Sequence, residues 1–455
     1  MSYIPNTDQD VREMLSCIGR ENADELFSHI PDRFRFKGEL ELPEPFSEME
    51  LISKMRQLSQ MNSSLRDTSS FLGGGVYHHY IPSVVGHLIE RAEFSTSYTP
   101  YQPEISQGTL QAIFEYQTLM CLLTGMDVSN ASMYDGASST AEAVLMALRS
   151  NRSSRIALSS TLHPEYRRVI ETYARANDKE VFLIPYSADG STDTGLLSER
   201  IDEQVSCVVL QSPNFFGIVE ELRNAEKIAH SKGALLIVVF TEPIAYGLLK
   251  PPGIYGADIV CGEGQSMGIP PGFGGPLLGI LACRQELLRA LPGRIVGKTH
   301  DMKGNGSYVL TLTAREQHIR REKSTSNICT NHGLCALAAA VFLTSYGKKG
   351  FRSLAAINHG RAEYAKSALS KLAGVKLRFS SPTFNEFVIE TEKDPNKIAS
   401  RLLDEKILFG IRLKKDYPEL ERCTLMSCTE MNSEQEIERL CTRLKEIGCK
   451  SRIKK

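Results

Sequence analysis

The stretch VSCVVLQSPNFFGIVEELRNAEKIAHSKGALLIVVF, residues 205–240, decides the fold class of this chain. It begins and ends with short apolar runs, and the polar segment between them has the length of a helix. A strand, a helix and a second strand in this order are typical of a βαβ unit, whose two strands run parallel. The same rhythm continues on both sides, in RIALSS, EVFLIPY and ADIVCGEG. The sequence therefore predicts an α/β protein with a mostly parallel sheet.

The chain is predicted to have three parts. Residues 1–65 contain two short helical patterns, DQDVREMLSCIG and ENADELFSHI, and a proline-rich stretch, which indicate an N-terminal arm. Residues 66–330 form the large domain. Residues 331–455 begin with long helical segments and continue with four strand patterns and two helices, which indicate a smaller α+β domain. Ser433 and Glu436 are predicted to form a capping box before the last helix.

Composition limits the classes of partner. The 455 residues are 42% hydrophobic and 24% charged, and 53 basic residues balance 54 acidic ones to a net charge of −1. Such a balance gives no field that would select nucleic acid or an anionic membrane. Eleven cysteines lack CxxC or ligand spacing, which favours free thiols in a reducing compartment. Without a signal-peptide pattern or an apolar run of about 20 residues, we expect a cytoplasmic protein.

A helix start could bind an anion. MYDGASSTAEAVLMALRS, residues 133–150, places Ser138, Ser139 and Thr140 at the beginning of a strong helix pattern. Backbone N–H groups and the helix dipole at such a start suit a phosphate. Serine and threonine also begin helices simply because they cap them, so ordinary capping explains the pattern equally well.

Two further stretches could contact a ligand or a partner. YTPYQPE, residues 98–104, holds Tyr98 and Tyr101 in a stiff proline-rich loop that either faces a ligand or packs as an aromatic loop. TAREQHIRREKSTSNICTN, residues 313–331, has a basic run that is either a solvated helix face or a grip for an anion or a partner chain. The candidates in that run are Arg315, His318, Arg320 and Arg321.

A glycine-rich stretch follows the last strand of the βαβ series. In ADIVCGEGQSMGIPPGFGGP, residues 257–276, the glycines are spaced GxGxxxG. That spacing misses the dinucleotide fingerprint by one residue, and no acidic residue stands at the required distance. A nicotinamide site is therefore not favoured.

Together these stretches resemble the P-protein family of the glycine cleavage system, the pyridoxal phosphate (PLP) dependent glycine decarboxylases. The resemblance implies a fold type I PLP enzyme, with a seven-stranded, mostly parallel sheet and a smaller C-terminal domain. It covers about half the chain, in order. The motifs that carry it are YTPYQPEISQG (98–108), LTGMDVSNASMYDGASSTAEA (123–143), QSPNFFGIVE (211–220), GADIVCGEGQSMGIPPGFGGP (256–276) and REQHIRREKSTSNICTN (315–331).

The resemblance also shows where this chain departs from its family. In the catalytic chains a histidine and then the PLP-binding lysine follow a strand, just before a glycine-rich stretch, and Gln265 and Ser266 stand at those positions here. A serine hydroxyl cannot replace the lysine amine, and the sequence has no lysine between Lys250 and Lys298. The acidic residue expected to face the pyridine nitrogen could only be Glu242.

The family accounts for this departure, because many bacteria split the P-protein into two homologous chains. The resemblance to the first of them implies that PLP and its lysine belong to a second, β chain. It also implies an αβ unit that dimerises to a heterotetramer, glycine as substrate, and the lipoyl H-protein as acceptor. No catalytic residue, bound cofactor or metal is then expected in this chain. Its side chains that could reach the partner's active site or the interface are Tyr98, Tyr101, Arg315, His318, Arg320 and Arg321.

Two other functions are weighed against this one. An independent fold type I aminotransferase or lyase would need a lysine in the motif, which is absent. A purely structural scaffold that lends no side chain to the active site shares every feature of the sequence, so it stays open.

Overall fold

The computed structural model describes residues 5–36, 38–151 and 153–448, which separate into two compact units, residues 1–63 and 64–455. The first unit holds helices α1 (Asp8–Cys17) and α2 (Glu48–Gln60), each begun by a capping box, Thr7 with Asp10 and Ser47 with Glu50. The second predicted helix is a short 3₁₀ turn instead, Ala23–Phe27. After Phe27 the chain continues in turns, since the N–H groups of Ser28 and Ile30 bond to carbonyls three residues back, at Glu25 and Phe27.

The second unit is built around a seven-stranded sheet. Its strands are β2 (Val128–Ser129), β3 (Arg155–Ser159), β4 (Glu180–Ile184), β5 (Val205–Gln211), β6 (Leu235–Phe240), β7 (Ile259–Glu263) and β8 (Gly279–Cys283). They lie in the order β2-β8-β7-β6-β5-β3-β4, and β8 runs antiparallel to both of its neighbours while the other pairs are parallel. This confirms the predicted α/β class and the mostly parallel sheet.

Helices cover both faces of this sheet, so its central strands are apolar on both sides. All seven residues of β5 are buried. The helices up to residue 231 are α3 (Ser83–Ile89), α4 (Ala92–Ser95), α5 (Gln107–Thr124), α6 (Gly136–Asn151), α7 (Pro164–Ala176), α8 (Thr194–Arg200) and α9 (Leu222–Ser231). One core cluster joins the sheet to α5, α9 and a later long helix, and a second joins it to α6 and α7.

The region from residue 295 to 370 contains one element that the sequence did not predict, a hairpin of β9 (Ile295–His300) and β10 (Gly306–Thr311). A single turn, α10 (Gln317–Arg320), follows in the basic run. The long helix α11 (Gly333–Ser370) is broken at Gly347, where φ is 58° and ψ is 178°. The two helical segments predicted here therefore meet at a glycine, with no linker between them.

The smaller sheet has the antiparallel order β11-β12-β15-β14. The elements of this C-terminal part are β11 (Val375–Leu377), β12 (Glu386–Thr391), α12 (Pro395–Leu403), β13 (Ile407–Leu408), β14 (Ile411–Arg412), β15 (Cys423–Ser427) and α13 (Glu434–Ile447). The Ser433–Glu436 capping box is present. Residues 69–70 form β1 (Ser69–Ser70), which pairs in parallel with β13 as a separate two-stranded sheet, so the chain contacts the C-terminal part before it enters the large sheet. Among the helices of the described ranges, none has the length and apolar character to cross a bilayer.

Candidate functional site

The carboxyl ends of the parallel strands are where α/β proteins bind their ligands. Here β5 ends at Gln211, β6 at Phe240 and β7 at Glu263, next to one another in the sheet. A cofactor site is expected at this edge, and the crossing segment, residues 74–80 between β1 and α3, passes over it.

Tyr77 on that crossing segment is buried at the edge. Its hydroxyl donates to the Glu386 carboxylate at 2.9 Å and lies 3.1 Å from the Thr241 hydroxyl just after β6. The other Glu386 oxygen accepts the Gly74 N–H at 2.6 Å. Burial raises the pKa of Glu386 to about 7 and that of Tyr77 well above its ordinary value. Tyr77 therefore joins the large sheet to β12 of the small sheet.

His163, which follows β3, contacts the same segment. Its Nε2 lies 2.8 Å from the Gly74 carbonyl oxygen, so Nε2 carries the proton and donates. A side chain at residue 75 would place its Cβ 3.5 Å from the His163 ring and 3.8 Å from Thr241. The backbone of residues 74–75 thus packs against the residues that follow β3 and β6.

His79 lies two residues further on, between two carboxylates. Its Nε2 is 2.8 Å from Glu242 and its Nδ1 is 2.9 Å from Glu430, and His79 and Glu242 are almost fully buried. Although burial opposes the charged form, the two carboxylates raise the pKa of His79 to about 10. The ring is consequently protonated at neutral pH. Glu242 also accepts the Asn385 amide at 3.1 Å.

The start of α6 already holds an anion from the protein itself. The Glu263 carboxylate, at the end of β7, accepts the Gly136 N–H at 2.9 Å through one oxygen. The Ser138 and Thr140 hydroxyls donate to carbonyls of this turn, at Asp135 and Gly136. Ser139, the third hydroxyl predicted here, is buried. The anion expected at this helix start is therefore a carboxylate of the same chain.

Gln265 and Ser266 lie directly after Glu263 and are buried. The Gln265 side-chain amide accepts the Tyr77 N–H at 2.9 Å and donates to the Tyr77 carbonyl at 3.1 Å and the Ile269 carbonyl at 2.6 Å. Within the described residues, the Ser266 hydroxyl has no hydrogen-bond partner. Gln265 fastens the crossing segment to the loop after β7.

These residues do not fit PLP. A covalent link to PLP needs an amine, and Ser266 has none. A phosphate needs the free N–H groups of a helix start, and Glu263 already accepts from Gly136 there. A carboxylate for the pyridine nitrogen would have to be Glu242, which is paired with His79 and Asn385.

Three candidate stretches of the sequence meet at the surface. The Tyr98 hydroxyl lies 3.4 Å from the Thr330 hydroxyl, and the Cys329 N–H donates to the Tyr134 hydroxyl at 3.3 Å. Residues 97–100 and residues 331–337, at the start of α11, line one small pocket. Tyr98 and Tyr101 are 71% and 75% exposed, with ring centroids 6.4 Å apart, so they are available to another molecule.

The four candidate residues of the basic run differ in their exposure to solvent. His318, Arg320 and Arg321 are exposed. Arg315 is buried, and it donates to the Gly293 carbonyl at 2.7 Å and the Leu312 carbonyl at 3.2 Å. An interface role predicted for Arg315 does not agree with this position, because its guanidinium is held inside its own chain.

A family model described as glycine cleavage system P-protein matches residues 1–444. The chain belongs to the glycine cleavage system P-protein family. Among curated relatives of this P-protein, the probable glycine dehydrogenase (decarboxylating) subunit 1 of Desulforamulus reducens is 50% identical over 448 residues, covering 98% of this chain and 100% of the relative. The protein of the same description from a Geobacillus strain is 50% identical over 446 residues, covering 98% of both.

Solved structures agree with the P-protein family. A crystal structure of glycine decarboxylase (P-protein) in inhibitor-bound form has a TM-score of 0.89 and 40% identity, covering 98% of this chain and all of that one. A structure described as a C-DES mutant with glycine linked to its PLP cofactor has a TM-score of 0.61 at 16% identity, covering 84% and 97%, and shows the fold alone. The predicted fold type I architecture, family and enzyme class are confirmed, and the P-protein functions in the glycine cleavage system.

The sequence did not single out Tyr77, Glu263 or Glu386. Only Glu263 left a signal, an acidic residue between two glycines at the end of an apolar strand.

The designation of the curated relatives as subunit 1 implies a second subunit for those proteins.

Proposed function

We propose that this P-protein chain is the lysine-free subunit of a two-chain glycine decarboxylase. A second, homologous subunit would carry PLP and its lysine, and two αβ units would form a heterotetramer in the cytoplasm. The observation that carries the proposal is the buried Ser266 at the lysine position, beside strand ends that the chain's own side chains occupy.

In the proposed reaction glycine loses its carboxyl group as carbon dioxide, and the remaining aminomethyl group passes to the oxidised lipoyl arm of the H-protein. PLP of the second subunit would supply the electron sink for the decarboxylation. The contribution of this chain would be exposed side chains at the interface, with Tyr98 and Tyr101 as hydroxyl donors or as a stacking wall.

We expect activity only when the two subunits are mixed. The chain alone with PLP should show neither absorbance of covalently bound cofactor nor glycine-dependent exchange of carbon dioxide in the presence of H-protein, whereas the mixture should show both. Covalent PLP and exchange from this chain alone would refute the proposal. Because a scaffold would give the same result, the mixture is also assayed with the double variant Tyr98→Phe/Tyr101→Phe.

In that mixture the double variant should lower kcat/KM by about 10- to 100-fold, as expected when a hydrogen bond to a charged group is lost. Co-elution of the two subunits should be unchanged. Tyr364→Phe is the matched control, since it removes a hydroxyl that bonds to Glu438 on the C-terminal helix. Unchanged kinetics in the double variant would favour the scaffold.

The exposed residues His318, Arg320 and Arg321 are proposed to dock an acidic carrier protein. Arg320→Glu/Arg321→Glu should raise the KM for H-protein by about tenfold at low salt with little change in kcat, because charge complementarity acts mainly on encounter and added salt screens it. Arg175→Glu, an exposed reversal on α7, should leave KM unchanged. Loss of co-elution with the second subunit would assign these residues to subunit pairing instead.

A further inference from the structure

Glu263 has the hydrogen bonds of a bound anion, although it belongs to the chain. Besides the Gly136 N–H, its carboxylate accepts three more backbone N–H groups, at 3.1 Å from Gly264, 3.0 Å from Gln265 and 2.8 Å from Leu278. All four donors are amides, and Gly136 begins the 16-residue helix α6. Gly136 is the donor at the helix start, while Gly264 and Gln265 follow β7 and Leu278 precedes β8. Convergent backbone N–H groups with a helix start among them are an arrangement that proteins use for phosphate.

A second observation at this place comes from Ser139, in the first turn of α6. Its hydroxyl is completely buried and has no hydrogen-bond partner among the described atoms. A Cβ at Gly279 of β8 would lie 2.4 Å from this hydroxyl oxygen, so the hydroxyl is enclosed by the sheet next to Glu263. The first turn of α6 thus holds a buried hydroxyl that no described atom of the chain satisfies.

The glycines here explain how the carboxylate reaches its donors. A Cβ at Gly136 would lie 2.1 Å from the Tyr166 hydroxyl and 3.0 Å from the Glu263 nitrogen. Only a residue without a side chain lets the helix start approach the end of β7 so closely. The carboxylate and the helix start are therefore in direct contact.

We propose that Glu263 is an internal replacement for a bound phosphate. Its carboxylate permanently occupies the anion site at the start of α6, so the chain completes its fold without phosphate or PLP, and removal of the carboxylate uncovers a site for a small external anion. The inference concerns the chain alone and does not depend on pairing with a second subunit.

The pKa of Glu263 sets the conditions of the test. Burial raises its pKa to about 7, while the bonds from Leu278, Gly136 and Gln265 act in the opposite direction. The neighbouring Asp135, which accepts the Ser138 N–H at 2.8 Å, also raises the pKa. The carboxylate is thus the prevailing form above about pH 7, and tests with anions belong at about pH 8.

The experiment measures the melting temperature of the purified full chain at pH 8 in chloride, formate and inorganic phosphate of equal ionic strength. The wild type should melt at the same temperature with all three anions. Glu263→Ala should melt lower in chloride and regain at least about 2 °C in formate or phosphate, because an anion that binds only the folded state stabilises it. Glu263→Gln should lose stability without any anion-specific gain, since the amide still fills the space.

Glu142→Ala is the matched control. Glu142 is a buried carboxylate on the same helix that interacts with Ser326 and not with a row of backbone N–H groups, so its loss should produce no anion-specific gain. A Glu263→Ala chain without such a gain would overturn the proposal. So would a wild type that phosphate stabilises as much as the variant.

If Glu263→Ala does not fold, a refolding experiment with the wild-type chain tests the proposal instead. Denatured wild-type chain should refold to the same yield in phosphate-free buffer, in phosphate and with PLP. A yield that requires phosphate or PLP contradicts the proposal just as directly.

Discussion

Replacing His79 with alanine is expected to lower the free energy of unfolding by about 3–5 kcal/mol at pH 6, because the change leaves the buried Glu242 and the largely buried Glu430 without their cation. Glu242 and Glu430 face each other across this ring, 2.8 Å and 2.9 Å from its two nitrogens. Denaturant unfolding monitored by circular dichroism measures the loss. His78→Ala is the control, since its side chain is only half buried and has no ion pair among the described contacts.

The difference in unfolding free energy between the wild type and His79→Ala should depend on pH. The pKa of His79 is raised from 6.5 to about 10 in the folded state, so its contribution is complete below pH 6.5 and is lost as the pH rises through about 10. Glu430 has a lowered pKa, so its share is present above pH 4.5 and is lost in acid. The gap between wild type and His79→Ala should therefore be larger at pH 6 than at pH 10. A gap no larger than that of His78→Ala at pH 6 would disprove the role of the ion pairs.

Gly217→Ala is expected to cost more than about 4 kcal/mol, in the range that few single substitutions reach. Gly217 lies in the turn after β5 with φ of 83°, and a Cβ there would lie 2.0 Å from the Glu386 carbonyl oxygen and 2.4 Å from its carbonyl carbon. Backbone atoms cannot move aside as a flexible side chain could. The substitution should push β12 away from the large sheet, and with it the carboxylate that Tyr77 contacts.

Gly233→Ala separates the two causes of this loss. Gly233 also has a left-handed backbone, with φ of 74°, but nothing lies within 4 Å of a Cβ at that position. Its replacement should cost only about 1 kcal/mol, from the backbone conformation alone. Urea unfolding of both variants measures the difference, and equal losses would mean that the contact with Glu386 does not matter.

The fold could be predicted in good part because its signals are local. The apolar runs 205–211 and 235–240 are separated by a polar segment of helix length, and both became largely buried strands. The hairpin at 295–311 was not predicted because only the start of β9 is buried and the rest of both strands is half-buried or exposed, so no continuous buried run marks it. The segment at 23–27 has a good capping residue in Asn22 but too few residues before Pro31 to build a longer helix.

The site could be predicted only where a motif carried it. Gln265 and Ser266 stood out by resemblance to catalytic chains, and Tyr98 and Tyr101 by their proline-rich loop. The contacts of His79 with Glu242 and of Tyr77 with Glu386 join residues 163 and 309 positions apart. Such pairings follow from the tertiary fold, and no local pattern announces them. Which of the exposed side chains reach a partner stays a prediction.

The crossing of residues 74–80 over the strand ends also has a mechanical meaning. It is fastened to the large sheet through Thr241 and Glu242 and to the small domain through Glu386 and Glu430. Enzymes that admit a substrate between two domains need those domains to swing apart. In this chain a movement of the two domains apart would break the buried His79 ion pairs and the buried hydrogen bond of Tyr77 to Glu386 together. We therefore expect the large sheet and the small sheet to move as one rigid body.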